Sequence, residues 1–340
     1  MNNNFKKAFS LIEISMVILV IGILIAGISK GIDMVYDMRL ATARALTDKA
    51  PMFGMENLEM WLETTSENSL ATGTGTSFAN VANPPNKKEI GRWNDINPTL
   101  IDPNYKNHAV QGNINFQPLY VQDGINGLPT LLFDGKPQAE GGDYFDIING
   151  KTNFIEFTIF IVAKPEFYKS LSGGNSTVMN ISCSGSYSAC AKTSSPTGYT
   201  NSNDSNPAGM IYFVSPSLTN DGLINLRYYA RTYSPPTFSS KEFITSSFTN
   251  NTPIIASVNH GKINASVVVS PFNKSVSSST SPFVNDPNSY LDFRIGKQKD
   301  GYDRYFKGYL SEIILFGRSL NDQETLLIKN YLSEKWRIKL

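Results

Sequence analysis

Hydrophobic and polar positions divide the chain into two regimes. From Phe9 to Ile28 the residues are apolar almost without a break, and Glu13 is the one charge among them. At ~1.5 Å rise per residue this run makes about 30 Å of helix, enough to cross the hydrocarbon core of a bilayer. The next stretch, Ser29 to Ala50, has no proline and continues the apolar positions Ile28, Ile32, Val35 and Met38. Those steps of three and four mark one helical face, and Pro51 is the natural stop. The pattern therefore predicts a helix over 9–50; a short anchor followed by a separate amphipathic helix is the alternative. Beyond Pro51 it changes to short apolar runs split by Gly, Pro, Asn and Asp. Predicted strands are Leu58–Leu62, Leu128–Phe133, Phe157–Lys164, Gly209–Val214, Ile224–Tyr229, Ile254–Val258, Ala265–Val269, Leu291–Ile295 and Tyr309–Phe316. Their Ile, Val, Phe, Tyr and Thr content suits a pleated surface. No long helical pattern interrupts them, so an antiparallel sandwich is expected rather than βαβ units. One helix closes the chain: Asn321 with Glu324 has the spacing of a capping box, and Ile328, Leu332 and Trp336 recur every four residues on one face.

Composition narrows the class. Charged residues are 17% of the 340, below the usual ~25%, and Asn, Ser, Thr, Gly and Tyr fill the gap. That balance fits an exported β-protein with long loops better than a cytosolic helical enzyme. The net charge is +1 and the lysines are scattered, so the basic stripe of a nucleic-acid binder is missing and no nucleic-acid partner is expected. The two cysteines, Cys183 and Cys190, lie in the polar stretch ISCSGSYSAC. In an exported chain they read as a small disulfide loop; two unpaired thiols are the alternative.

The basic pair Lys6-Lys7 before the apolar run places the N-terminus in the cytoplasm and the rest outside. A cleaved secretory signal and a plain anchor both compete for this segment. Glu13 weighs against both, since a carboxylate inside an apolar span is costly and is a functional residue by default. The string KKAFSLIEISMVILV resembles the N-terminal signal of type IV prepilins and pseudopilins. That resemblance implies cleavage by a prepilin peptidase between Ala8 and Phe9, N-methylation of Phe9, and an assembly role for Glu13 among other pilin or pseudopilin subunits. Ala8 departs from the glycine usual in that family. The implied organisation is a leader over 1–8, a transmembrane and assembly helix over 9–50, and a β domain over 51–340, in a single-pass protein of the inner membrane with its C-terminal domain extracytoplasmic.

The segments MWLETTSENSL, IGRWND, DGINGLPTLLFDG, FTIFIVAKPE and FKGYLSEIILFGRSLNDQETLLIKNYLSEKW resemble, in order, the laminin-G-like, concanavalin A-like jelly-roll domains of bacteria. The resemblance implies two stacked antiparallel sheets with a curved ligand-facing surface. It also makes Thr64–Glu89, which by composition looks like a linker, a long loop inside the domain.

Catalytic constellations are sparse. Two histidines, His108 and His260, leave little for a triad or a His-based metal site, and no H-E-x-x-H, G-x-S-x-G or P-loop occurs. The E-x-D-x-x-E strand of some glycoside hydrolases with this fold is missing too. The chain is therefore expected not to be an enzyme and to need no cofactor. Glu140, Asp143 and Asp146 are the weak candidates for calcium, although a solvated turn explains them as well. Trp93, Tyr228, Tyr229 and Tyr233 are the aromatics that could stack on sugar rings, each being as readily a core residue. The reading that results is a minor pilin or pseudopilin whose head presents a surface for a glycan or a surface protein. The competing readings are a structural pseudopilin of a type II secretion system without a sugar site and a membrane-anchored polysaccharide hydrolase.

Overall fold

The computed structural model describes residues 11–147, 154–166, 175–183, 209–215, 222–234, 237–280, 291–298 and 304–340. Two compact units divide the chain at Thr42 and Ala43. In the first unit runs most of α1, Leu11–Thr47, with Glu13 in its first turn. Its apolar side chains, Leu11 and Ile12 through Val35 and Met38, are exposed. A helix this long and apolar could cross a membrane. It ends three residues before the position read from the sequence, and Pro51 opens a 3-10 turn, Pro51–Gly54.

The second unit holds nineteen strands among the described residues. The first five are β1 (Leu58–Glu63), β2 (Leu70–Thr74), β3 (Ser77–Asn80), β4 (Arg92–Trp93) and β5 (Ala109–Val110). Then come β6 (Leu119–Ile125), β7 (Leu128–Asp134), β8 (Phe145–Ile147), β9 (Phe157–Pro165) and β10 (Asn175–Cys183). Next are β11 (Gly209–Val214), β12 (Leu223–Ser234), β13 (Thr237–Ile244), β14 (Phe248–Thr249) and β15 (Ile254–His260). The last are β16 (Asn264–Ser270), β17 (Lys274–Ser279), β18 (Leu291–Ile295) and β19 (Lys307–Phe316), followed by α2 (Asp322–Trp336). One sheet runs β17-β16-β15-β9-β19-β7-β6, with β1 added beside β19; the other runs β13-β12-β11-β10-β18-β8-β5-β4-β2-β3, with β14 beside β12. The pairings are antiparallel. β6 and β7 join through Asn126-Gly127, both at positive φ, the two-residue turn whose twist matches the strands.

Alternation along the strands builds the core. Phe157, Ile159 and Ile161 of β9 and Ile313 and Leu315 of β19 meet Ile211 and Phe213 of β11 and Phe293 and Ile295 of β18 between the sheets. The other face of the first sheet, with Trp61, Phe160, Val162 and Ile314, is covered by Ile328, Leu332 and Trp336 of α2. The fold is thus an apolar N-terminal helix, an antiparallel sandwich and a C-terminal helix, as the pattern predicted. Thr64–Glu89 is corrected from loop to structure, because it contains the hairpin of β2 and β3 that ends the second sheet.

Beneath α2 lies a buried ionic cluster. Lys335 Nζ is 3.0 Å from Glu63 Oε2 and 2.9 Å from Glu312 Oε2, and all three side chains are fully buried. Glu312 also accepts from the indole N–H groups of Trp61 and Trp336, each at 2.7 Å, and from the Tyr331 hydroxyl at 2.9 Å. Glu63 accepts from the backbone N–H of Thr65 and of Ser66, both at 2.6 Å. Each buried carboxylate is therefore satisfied, the condition under which buried charge is tolerated.

Candidate functional site

The structure disperses the residues singled out in the sequence. Trp93 is fully buried, its ring N–H donating to the Glu63 carbonyl at 2.8 Å. Tyr228 is fully buried too; its hydroxyl shares a 2.8 Å hydrogen bond with His260 Nδ1, and its ring stacks on Phe243. Both are corrected from sugar platforms to core residues: they point between the sheets, where no ring could reach them. Tyr229, one residue on, projects to the opposite face of β12 and packs half-buried against Met210, Tyr212 and Val214. Tyr233 lies on β12 opposite Phe238. Cys183 ends β10, while Cys190, and so the proposed pairing, lies outside the described residues, as do Ala8 and Phe9.

The acidic group is separated as well. Glu140 is exposed in a 3-10 turn, Gln138–Glu140. Asp146 is drawn into a two-pronged ion pair with Arg294, at 2.6 and 2.9 Å. Asp143 is buried and accepts from the Asp134 backbone N–H at 2.9 Å. Calcium coordination by the three together is thereby corrected, and among the described residues no cluster of three or more His, Cys, Asp or Glu could hold a metal.

Two depressions among the described residues gather polar side chains. A cleft of about 560 Å³ is lined by Glu89, Phe116, Asp134, Lys136, Glu140 and Asp143. Burial, followed by the neighbouring charge of Asp134, pushes the Asp143 carboxyl up to about 8, so it keeps its proton at neutral pH. Asp134 is paired with Lys136 at 3.0 Å. A buried acid that holds its proton at neutral pH is a group with proton-donating capacity.

The larger depression, about 830 Å³, is an open polar groove. Arg92 forms its floor: β4 turns Trp93 inward and Arg92 outward, and the guanidinium donates to Asn94 at 2.6 Å and Asn80 at 3.2 Å while lying over the Phe78 ring. His108 Nδ1 accepts the Asp95 backbone N–H at 3.0 Å, which leaves the proton of the neutral ring on Nε2. Burial, then the charges of Arg92 and Lys106, bring His108 down to about 4. Lys106 Nζ donates to the Asn97 carbonyl at 3.0 Å. At the other end Arg44 pairs with Glu67 at 3.1 Å and donates to Asn83 and to the carbonyls of Thr65 and Ala82. Phe53 and the exposed amides of Asn68 and Asn80 also line the groove. The sequence reading missed this set, although the alternation that buries Trp93 is itself the signal that exposes Arg92.

No family model matches the chain, and no curated protein matches it. Among solved structures the chain is similar to an arabinofuranosidase complexed with arabinofuranosyl-alpha-1,2-xylobiose, at 10% identity and TM-score 0.46 over 82% of this chain and 63% of that one. It is also similar to the botulinum neurotoxin serotype G binding domain, at 11% identity and TM-score 0.40 over 82% of this chain and 51% of that one. An alginate lyase from Alteromonas sp. 272 matches at 14% identity and TM-score 0.32, over 62% of this chain and 82% of that one. Such likeness concerns the fold alone. The expectation that the chain is not an enzyme is nevertheless corrected: a lyase and an arabinofuranosidase are among the structures it is similar to, and a fold by itself does not decide activity.

Proposed function

We propose that the chain is a type IV pilin-like subunit, a minor pilin or pseudopilin, whose sandwich is carried as a ligand-binding, lectin-like head. The observation that carries this reading is the N-terminal segment. A basic pair and Phe9 precede a helix of 37 residues whose exposed apolar stretch holds a single acid, Glu13, in its first turn. A cleaved secretory signal would end at a small-residue exit inside this helix. The apolar run from Phe9 to Ile28 has no A-x-A exit, and α1 runs on to Thr47. In this reading a prepilin peptidase cuts between Ala8 and Phe9, Phe9 is N-methylated, and the new amine finds its counter-charge in Glu13 of the same or a neighbouring subunit. The helix then lies in the inner membrane until assembly, with the head on the extracytoplasmic side. The polar groove at Arg92 is where such a head would hold a glycan.

Intact-mass spectrometry of the membrane-extracted protein, with and without prepilin peptidase, tests the reading. Loss of residues 1–8 with one methyl group on Phe9, only when the peptidase is present, is the expected result. An uncut chain, or a cut near Ala26, would overturn it.

A further inference from the structure

We propose that the groove at Arg92 binds an acidic saccharide, a chain of sugar rings bearing carboxylates. The inference rests on the reading of the sandwich as a displayed head and names the ligand class of that site.

The charge pattern of the groove points this way. Of its cations, Arg44 is matched by Glu67. Among the described residues neither Arg92 nor Lys106 has a carboxylate within ion-pair distance. Both donate only to amide or carbonyl oxygens. Asp95, three residues from Arg92, lines the groove but is buried, its two oxygens taken by the backbone N–H groups of Trp61, Asn97 and Asn107, each at 2.9 Å. The remaining acid of the lining, Asp48, follows Arg44 by one helical turn. The Arg92 end thus has no direct ion pair of its own: Lys106 acts on Asp95 only beyond ion-pair distance, and burial first, then the charges of Arg92 and Lys106, lower the basicity of His108. Burial lowers the basicity of the Arg92 guanidinium as well. A partly desolvated cation without a carboxylate partner favours an anionic ligand.

The rest of the lining favours a saccharide over a compact anion. The volume of about 830 Å³ accommodates several rings. The amides of Asn68 and Asn80 offer both donors and acceptors, which suits hydroxyl groups. Phe53, 53% exposed and held edge-on by Trp61, presents an apolar ring face. His108, also in the lining, adds a neutral N–H donor.

The test is calorimetric titration of the full chain in detergent with a uronic-acid trisaccharide, its carboxyl-reduced neutral counterpart, and a short poly-glutamate peptide. Binding of the uronate is expected, with the neutral sugar and the peptide at least about tenfold weaker, as the loss of one charge-assisted contact or of the ring contacts requires. Arg92→Gln and Lys106→Gln should each weaken uronate binding about tenfold. Lys136→Gln, in the separate acidic cleft, should leave it unchanged. Because Arg92 also braces Asn94 and Asn80, near-UV circular dichroism is compared for each variant, and Lys106→Gln supplies the independent reading if Arg92→Gln perturbs the fold. Equal affinity for the neutral sugar, equal affinity for the peptide, an unaltered Lys106→Gln variant, or no binding at all would each overturn the inference. Processing at Phe9 is read in the same preparation. A correctly processed chain that binds only the neutral sugar would sink the acidic-ligand inference and leave the pilin-like reading standing.

Discussion

Asp143 illustrates how far a side chain's chemistry depends on surroundings its sequence neighbours do not announce. Within EGGDYFD it reads as one of three equivalent acids, yet Asp146 is paired with Arg294 at 2.6 Å while Asp143 is buried beside Asp134 and pushed up to about 8. Its folded-state pKa lies above the ordinary carboxylate value, so the folded protein holds a proton there that the unfolded chain releases. Stability from this group is therefore greatest below about pH 4 and declines as pH rises toward 8. Asp143→Asn keeps the acceptor for the Asp134 N–H and removes the titration. Thermal unfolding across pH 5 to 8 should show the wild type losing stability relative to the variant as pH rises, and parallel curves would contradict the assignment. Glu63 has the opposite sign. Burial pushes it up, but the charge of Lys335 and hydrogen bonds from Ser66 and Thr65 outweigh that and hold it below its ordinary value. Its contribution is present above the ordinary carboxylate pKa and is lost as pH falls through the lowered one, so the two groups act in different pH windows.

At the scale of elements, α2 was the most legible piece. The Asn321 side chain accepts the Glu324 N–H at 2.9 Å, and Glu324 returns a bond to the Asn321 N–H at 3.0 Å, the reciprocal box read from the spacing. Arg318 holds the same Glu324 carboxylate with two bonds, at 2.8 and 2.7 Å. Asn321→Ala should cost about 1 kcal/mol, measurable as a shift in denaturant midpoint; an unchanged midpoint would mean that packing of Trp336 alone seats the helix. The strands predicted from apolar runs are all present, many of them longer than drawn. Three of the omitted ones, β17, β4 and β5, share a physical reason. β17 is KSVSSS, with Val276 its one apolar packing residue, and it exists because β16 offers a ladder at its edge. β4 and β5 are two residues long and are held by neighbours distant in sequence. Local periodicity carries no record of a partner supplied from elsewhere in the chain.

At the scale of the whole molecule, under the proposed function, the long apolar helix would serve insertion and the sandwich would serve display. If Glu13 neutralises the amine created at Phe9, Glu13→Ala should be cleaved normally yet fail to enter filaments. Immunoblots of sheared filaments beside intact-mass analysis of the membrane fraction would separate the two steps. Normal incorporation would remove Glu13 from assembly while leaving the cleavage reading intact.

The apolar N-terminal helix, the antiparallel sandwich and the capped final helix were legible along the chain, because continuous hydropathy, period two and capping spacing are all local signals. The tertiary structure alone decided which side chains face outward to a ligand. Trp93 and Tyr228 turned inward, Arg92 outward, and the polar groove was assembled from the end of α1, the β2–β3 hairpin, β4 and the turns that follow it. Lys335 was likewise placed between two carboxylates from β1 and β19. Each of these outcomes follows from which strands pair and which face they bury, and pairing between distant segments is set by the packing of the whole core rather than by any window of the chain.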